Sequence, residues 1–246
     1  MEKVFACLDD ARERILADLF ELLRIPSISA QRERAGDVRR AAEWIAARLS
    51  RLGFNAQVHE TAGHPLAFGE WLGAPGKPTV LFYGHIDVQP VEPLEEWQSP
   101  PFEPVIRDGN LFCRGASDDK GQLYTHVAAV EAWMAAHGSL PVNVKFLVEG
   151  EEEIGSPSLP AWISAHRELV AADVVTISDT AQFARGFPSL CTGLRGIAAF
   201  EIEVRTGETD LHSGSFGGAV PNAIEVLSRA PVGKQGRKIA VLGDML

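Results

Sequence analysis

The stretch KPTVLFYGHIDVQP constrains the fold more than any other part of the chain. Its mostly apolar run from Val80 to Tyr83 suits an extended segment covered on both faces, and such a strand needs helices to cover it. Helical periodicity is present before and after it. Val4, Leu8, Ile15, Leu16, Leu19, Leu22 and Leu23 repeat at helical spacing over 3–24, ending before Ile25-Pro26. A second helix is expected over 37–52, stopped at Gly53, and a third over 120–137, stopped at Gly138. NAQVHE, VNVKFLV (142–148) and ADVVTIS read as further strands, with a helix at about 157–170 and a hairpin at Asp108-Gly109. Alternating strands and helices predict the α/β class: a three-layer α/β/α sandwich around a mostly parallel sheet.

The 246 residues, 46% of them hydrophobic, suffice for one large core or two smaller ones. After Thr192-Gly193 the pattern changes. GIAAFEIEVRTG alternates like a half-exposed strand, AVPNAIEVLSRA reads as a helix with Pro221 in its first turn, and KIAVLG resembles one more strand. We therefore expect a first domain over 1–192 and part of an α+β lid or dimerisation domain over 193–246. A strand–helix–strand fragment cannot cover its own sheet, so it implies either exchange with a partner or missing material.

With 33 acidic against 23 basic residues, the formal charge of -10 argues against nucleic acid or an anionic membrane as partner. Cys7, Cys113 and Cys191 are odd in number, widely spaced and without a CxxC pair, which suits reduced thiols. MEKVFACLDDARERILADLF has no signal-peptide core, and no apolar run reaches membrane-span length. A cytoplasmic location is the expectation.

The polar residues at the ends of the expected strands carry the chemistry. His85 and Asp87 follow the first buried strand, Asp118-Asp119-Lys120-Gly121 opens a helix, Glu151-Glu152-Glu153 follows the next strand, and Asp179 follows the last. Each alone has an ordinary reading: a turn, a helix cap or a solvated acidic loop. Together they meet at one rim, because ligands gather at the carboxyl ends of strands in open α/β sheets. So many carboxylates would repel one another unless cations sat among them. Imidazole with carboxylates suits Zn, Mn or Co better than an all-oxygen calcium cage, and there are ligands enough for two metals sharing one carboxylate.

GHIDVQP (84–90), WQSPPFEPVIRDGNLFCRGASDDKGQ (97–122), VEGEEEIGS (148–156) and LRG…DLHSG (194–214) resemble the co-catalytic zinc peptidases. That family includes carnosine dipeptidases, carboxypeptidase G, acetylornithine deacetylase and succinyl-diaminopimelate desuccinylase, and VQP with the PPFEP segment resembles the dipeptidase branch. The resemblance implies two Zn2+ ions, with Mn2+ or Co2+ as substitutes. It makes His85 and Asp179 ligands of one metal, Asp118 the bridge and Glu153 a ligand of the second. Glu152 becomes the general base toward a metal-bridging water, and Asp87 the residue that orients His85. It implies a cis Asp118-Asp119 peptide and a homodimer in which His212 reaches a neighbouring site to stabilise an oxyanion. Arg195 and Gly196 match the start of the lid without a chemical role. His59, His64, His126, His137 and His166 match no ligand motif.

Members of that family place one more metal-binding histidine near the far end of the chain, and no histidine follows His212 here. The expectation is a truncated member with one site one ligand short and little or no activity. The implied reaction is hydrolysis of a dipeptide or small peptide. The alternatives are an N-acyl-amino-acid deacylase, and an impaired fragment that only binds or dimerises.

Overall fold

Strand β6 (Asn143–Glu149) is buried along its whole length, and the first part of the chain is built around it. This computed structural model describes residues 1–194, 196 and 201–229. Parallel to β6 lies β3 (Thr79–His85), then β7 (Val174–Ile177). On the other side lie β2 (Leu66–Trp71) and β1 (Asn55–His59), each antiparallel to its neighbour. The sheet order is β1-β2-β6-β3-β7, and β2 alone runs against the other four strands.

Side chains alternate across β6 and divide the core in two. Val144, Phe146 and Val148 pack with Ala41, Ile45 and Leu49 of α3 (Ala35–Arg51) and with Leu123 and Val127 of α4 (Lys120–His137). Leu147 points the other way, into a cluster with Phe68, Leu81 and Trp162 of α5 (Leu159–Ala165). Helices thus cover both faces, which gives the expected α/β sandwich. A lysine sits in β6 as well. Lys145 is buried, and its ammonium donates to the carbonyls of Leu169 (2.7 Å) and Ala171 (2.9 Å), closing the end of α6 (Arg167–Val170). Apart from this sheet, the hairpin of β4 (Val105–Arg107) and β5 (Asn110–Phe112) turns through Asp108 and Gly109. Both have positive φ, as a two-residue primed turn requires.

Three local expectations change. The single helix expected over 3–24 is two, α1 (Glu2–Asp10) and α2 (Arg12–Leu23), parted at Ala11. None of the residues in DDARER is buried, so no core contact holds the helix straight there. The helix expected at about 157–170 divides at His166, whose ring stacks on Trp162 at 4.3 Å and whose Nδ1 donates to the Trp162 carbonyl at 2.8 Å. A side chain competing for that carbonyl ends the helix. Strand β2 was not anticipated, because Pro65 precedes it and Gly69 interrupts it. A Cβ on Gly69 would stand 3.0 Å from Ala56 Cβ and from Leu49 Cδ1, so glycine is what lets α3 and β1 approach.

The chain divides into two compact units, Met1–Ser189 and Leu190–Leu246. In the second, α7 (Ser213–Phe216) and α8 (Ala223–Arg229) are helical. Asn222, rather than Pro221, begins α8: its Oδ1 accepts from the Ile224 amide at 2.9 Å. Of GIAAFEIEVRTG, 197–200 lie outside the described residues and 201–207 are not in a strand. KIAVLG and Arg195 also lie outside them. No helix among the described residues is long and apolar enough to cross a membrane.

Candidate metal centre

Strand register brings the site together. His85 of β3 lies beside Glu149 of β6, and Ile177 of β7 lies beside Tyr83. The segments leaving these strands therefore emerge at one rim with Asp87, Glu151, Glu152, Glu153 and Asp179. The two residues just before α4, Asp118 and Asp119, join them. The Asp118-Asp119 peptide is cis, as the resemblance implied. The Asp119 carboxylate accepts from the main-chain N–H of His85 at 3.1 Å. A Cβ on Gly84 would lie 2.7 Å from that carboxylate, so this glycine admits α4 to the strand end.

His85 is fully buried and its two nitrogens face different chemistry. Nδ1 stands 3.1 Å from the main-chain carbonyl of Asp87. A carbonyl only accepts, so Nδ1 carries a hydrogen and Nε2 is the atom turned to the rim. Nε2 lies 3.0 Å from Asp118 Oδ1, 3.6 Å from Asp179 Oδ2 and 3.9 Å from Glu152 Oε2. Two triads have donor atoms within 4.8 Å of one another: His85 with Glu152 and Asp179, and His85 with Asp118 and Glu153. Asp118 and Glu153 thus share a triad, while Glu152, the expected base, stands close enough to His85 and Asp179 to make a third donor.

The electrostatics follow from this crowding. Burial opposes a charge on His85, but the hydrogen bond and charge of Asp87, with Asp119 and Glu152, outweigh it and push the imidazole up to about 10. Burial raises Asp119 to about 7, with Asp179 and Asp118 adding to the effect. Glu152 and Glu153 are raised too, first by burial and then by neighbouring carboxylates. One imidazolium cannot balance this many acids. A divalent cation can, and a set of one imidazole with carboxylate oxygens fits zinc, manganese or cobalt.

Asp87 makes more contacts than the orientation of His85 that the resemblance implies. Its carboxylate is 3.5 Å from His85 Nδ1, farther than its own carbonyl. Instead Oδ2 accepts from Ser29 Oγ (2.6 Å) and the Glu153 amide (3.1 Å), and Oδ1 accepts from the Glu152 amide (3.2 Å). Asp87 therefore holds the acidic loop as well as His85. Sequence reasoning also passed over Gln89, which donates to Glu153 Oε2 at 2.8 Å, and Lys120, fully buried and donating to the carbonyls of Leu22 and Ile25. Both stand inside motifs already noted, GHIDVQP and DDKG, but nothing in the spacing shows which way they point. His212 belongs to the second unit, where its Nδ1 accepts from the Gly214 amide at 3.1 Å.

The model of peptidase family M20/M25/M40 matches residues 81–213, just over half of the chain and a span that includes His85, Asp87, Asp118, Glu152, Glu153, Asp179 and His212. The chain belongs to this family. Among family relatives, the cysteinylglycine-S-conjugate dipeptidase of Corynebacterium striatum is 37% identical, over 89% of this chain and 48% of that protein. The Beta-Ala-His dipeptidase of Homo sapiens is 34% identical, over 89% of this chain and 46% of its own length. The solved structure of the dipeptidase Dug1p from Saccharomyces cerevisiae superposes with a TM-score of 0.77 at 29% identity, covering 92% of this chain and 50% of that one. The chain spans about half the length of the curated relatives it matches.

Proposed function

We propose that this chain carries the metal centre of a dipeptidase, which hydrolyses the peptide bond of dipeptides or small peptides. The observation that carries the reading is the convergence of Asp118, Asp179 and Glu152 on His85 Nε2, with Glu153 alongside. His85, Asp118, Asp179 and Glu153 would hold two divalent cations, zinc foremost. When bound, the cations supply Lewis-acid polarisation of the scissile carbonyl and a nucleophile at neutral pH.

The chain's own residues do the rest. Glu152 Oε2 lies 3.9 Å from His85 Nε2, and its side chain is 37% exposed. It takes the proton of the attacking water and returns it to the leaving amine. Burial and the neighbouring acids raise its proton affinity toward the range a general base needs. Asp87 fixes His85 and the acidic loop. In the same reading the protein is a cytoplasmic homodimer, and His212 donates to the developing oxyanion of a neighbouring copy. DLHSG and three free cysteines support those two points.

The test is Glu152→Gln with a substrate panel: Cys-Gly and β-Ala-His, after the relatives' names, against N-acetyl and N-succinyl amino acids. Dipeptides should be hydrolysed slowly with added Zn2+ and N-acyl amino acids spared. E152Q should keep its metal and lose at least about a hundredfold in turnover. Hydrolysis confined to the N-acyl compounds, or an undiminished E152Q, would overturn the reading.

A further inference from the structure

Beneath the candidate ligands lies a closed circuit of hydrogen bonds. The buried Asp87 carboxylate accepts from Ser29 Oγ and from the amides of Glu152 and Glu153. The Ser29 carbonyl accepts from His64 Nε2 at 3.0 Å, so that nitrogen carries the hydrogen. The His64 amide in turn donates to Glu151 Oε1 at 2.8 Å, while Glu151 Oε2 accepts from the Ser158 amide at 3.0 Å. Glu151 is bonded to Glu152, which returns the circuit to Asp87.

Four separate segments meet in this circuit, and further hydrogen bonds tie the segments together. Residues 27–29 run beside 86–88: Val88 donates to the Ser27 carbonyl at 3.0 Å, and Ser27 Oγ donates to the Ile86 carbonyl at 2.5 Å. The turn at 61–64 is tied by Thr61 Oγ1, which donates to the His64 carbonyl at 2.6 Å and accepts from the Gly63 amide at 3.0 Å. A Cβ on Gly63 would stand 1.8 Å from Glu151 Oε1, so the turn is shaped to that carboxylate.

We propose that His64 and Ser29 are positioning residues for Glu152 and Glu153. Ser29 Oγ fixes the rotation of the Asp87 carboxylate, so that one oxygen faces each of the two amides. His64 fixes the Ser29 main chain and, through its own amide, the Glu151 end of the same loop. Neither residue is within the two donor triads. The functional consequence rests on the reading of the rim as a metal centre; the circuit itself does not.

The experiment uses the full chain and four variants: His64→Ala, His64→Gln, Ser29→Ala and Ser29→Thr. Amide hydrogen exchange at Glu152 and Glu153 is read by NMR on metal-free protein, and affinity and visible spectrum are read with Co2+ as probe. H64A and S29A should exchange about tenfold faster at both amides while Phe146 in β6 is unchanged, since only the loop opens. Their Co2+ affinity should fall roughly ten- to a hundredfold, as for lost outer-shell partners. H64Q can still donate to the Ser29 carbonyl and S29T keeps its hydroxyl, so both should remain near the unaltered chain. Unchanged exchange in H64A and S29A would overturn the proposal, as would H64Q and S29T being as damaged as the alanine variants. If the unaltered chain binds no Co2+, the metal reading falls, and the exchange comparison still decides the circuit.

Discussion

Glu151 and Glu152 are neighbours with the same side chain, and they occupy opposite environments. Glu151 is 3% exposed, and its carboxylate is filled by the amides of His64 and Ser158. Glu152 is partly open, and its Oε2 lies 3.9 Å from His85 Nε2. The same contrast separates Asp87, whose two oxygens accept three hydrogen bonds, from Asp118, whose Oδ1 faces His85. The floor of the site is made of acids with donors, and the rim of acids without enough of them. A protein that packs the first set so fully has the means to neutralise the second. Leaving them crowded around one imidazole is what a cation site requires.

Substitutions should separate floor from rim by their effect on folding. The largest effect is expected for Asp87→Ala, which strands a buried hydroxyl and two part-buried amides. Urea denaturation should show a loss of about 3–5 kcal/mol, the range for breaking a buried charged cluster. Glu151→Ala should cost about 2 kcal/mol by the same measurement. Glu151→Gln should cost less, because one amide oxygen still accepts. At the rim, Glu153→Gln in metal-free protein should change stability by no more than about 0.5 kcal/mol in either direction, as for other partly exposed charges. A rim variant as damaging as D87A would erase the distinction.

The rim was legible in the sequence because strand-end positions are. His85, Asp118, Glu152, Glu153 and Asp179 follow apolar runs or open a periodic helix, and the parallel register of β3, β6 and β7 carries them to one edge. The floor was not legible. His64 and Ser29 lie in irregular segments with no periodicity, and their partners are 87 and 58 residues away in the chain. Asp87 was recognised as a neighbour of His85, but its grip on the Glu152 and Glu153 amides depends on tertiary approach. Elements failed for related reasons. The break at Ala11 comes from a stretch without core contacts, and β2 was hidden because its burial on both faces and Gly69 remove the alternation that marks a strand. Helix α4, periodic from Leu123 to Val130 and closed by Gly138 with φ 71°, lay where the spacing put it.

The most direct test of a cation site at the rim is anomalous diffraction from crystals of the chain grown with Zn2+. The account predicts anomalous peaks within bonding distance of His85 Nε2 and the carboxylates of Asp118, Asp179 and Glu153, with Asp87 and Glu151 uncoordinated. Zinc bound to Asp87 or Glu151, or a rim without a peak at saturating Zn2+, would contradict it.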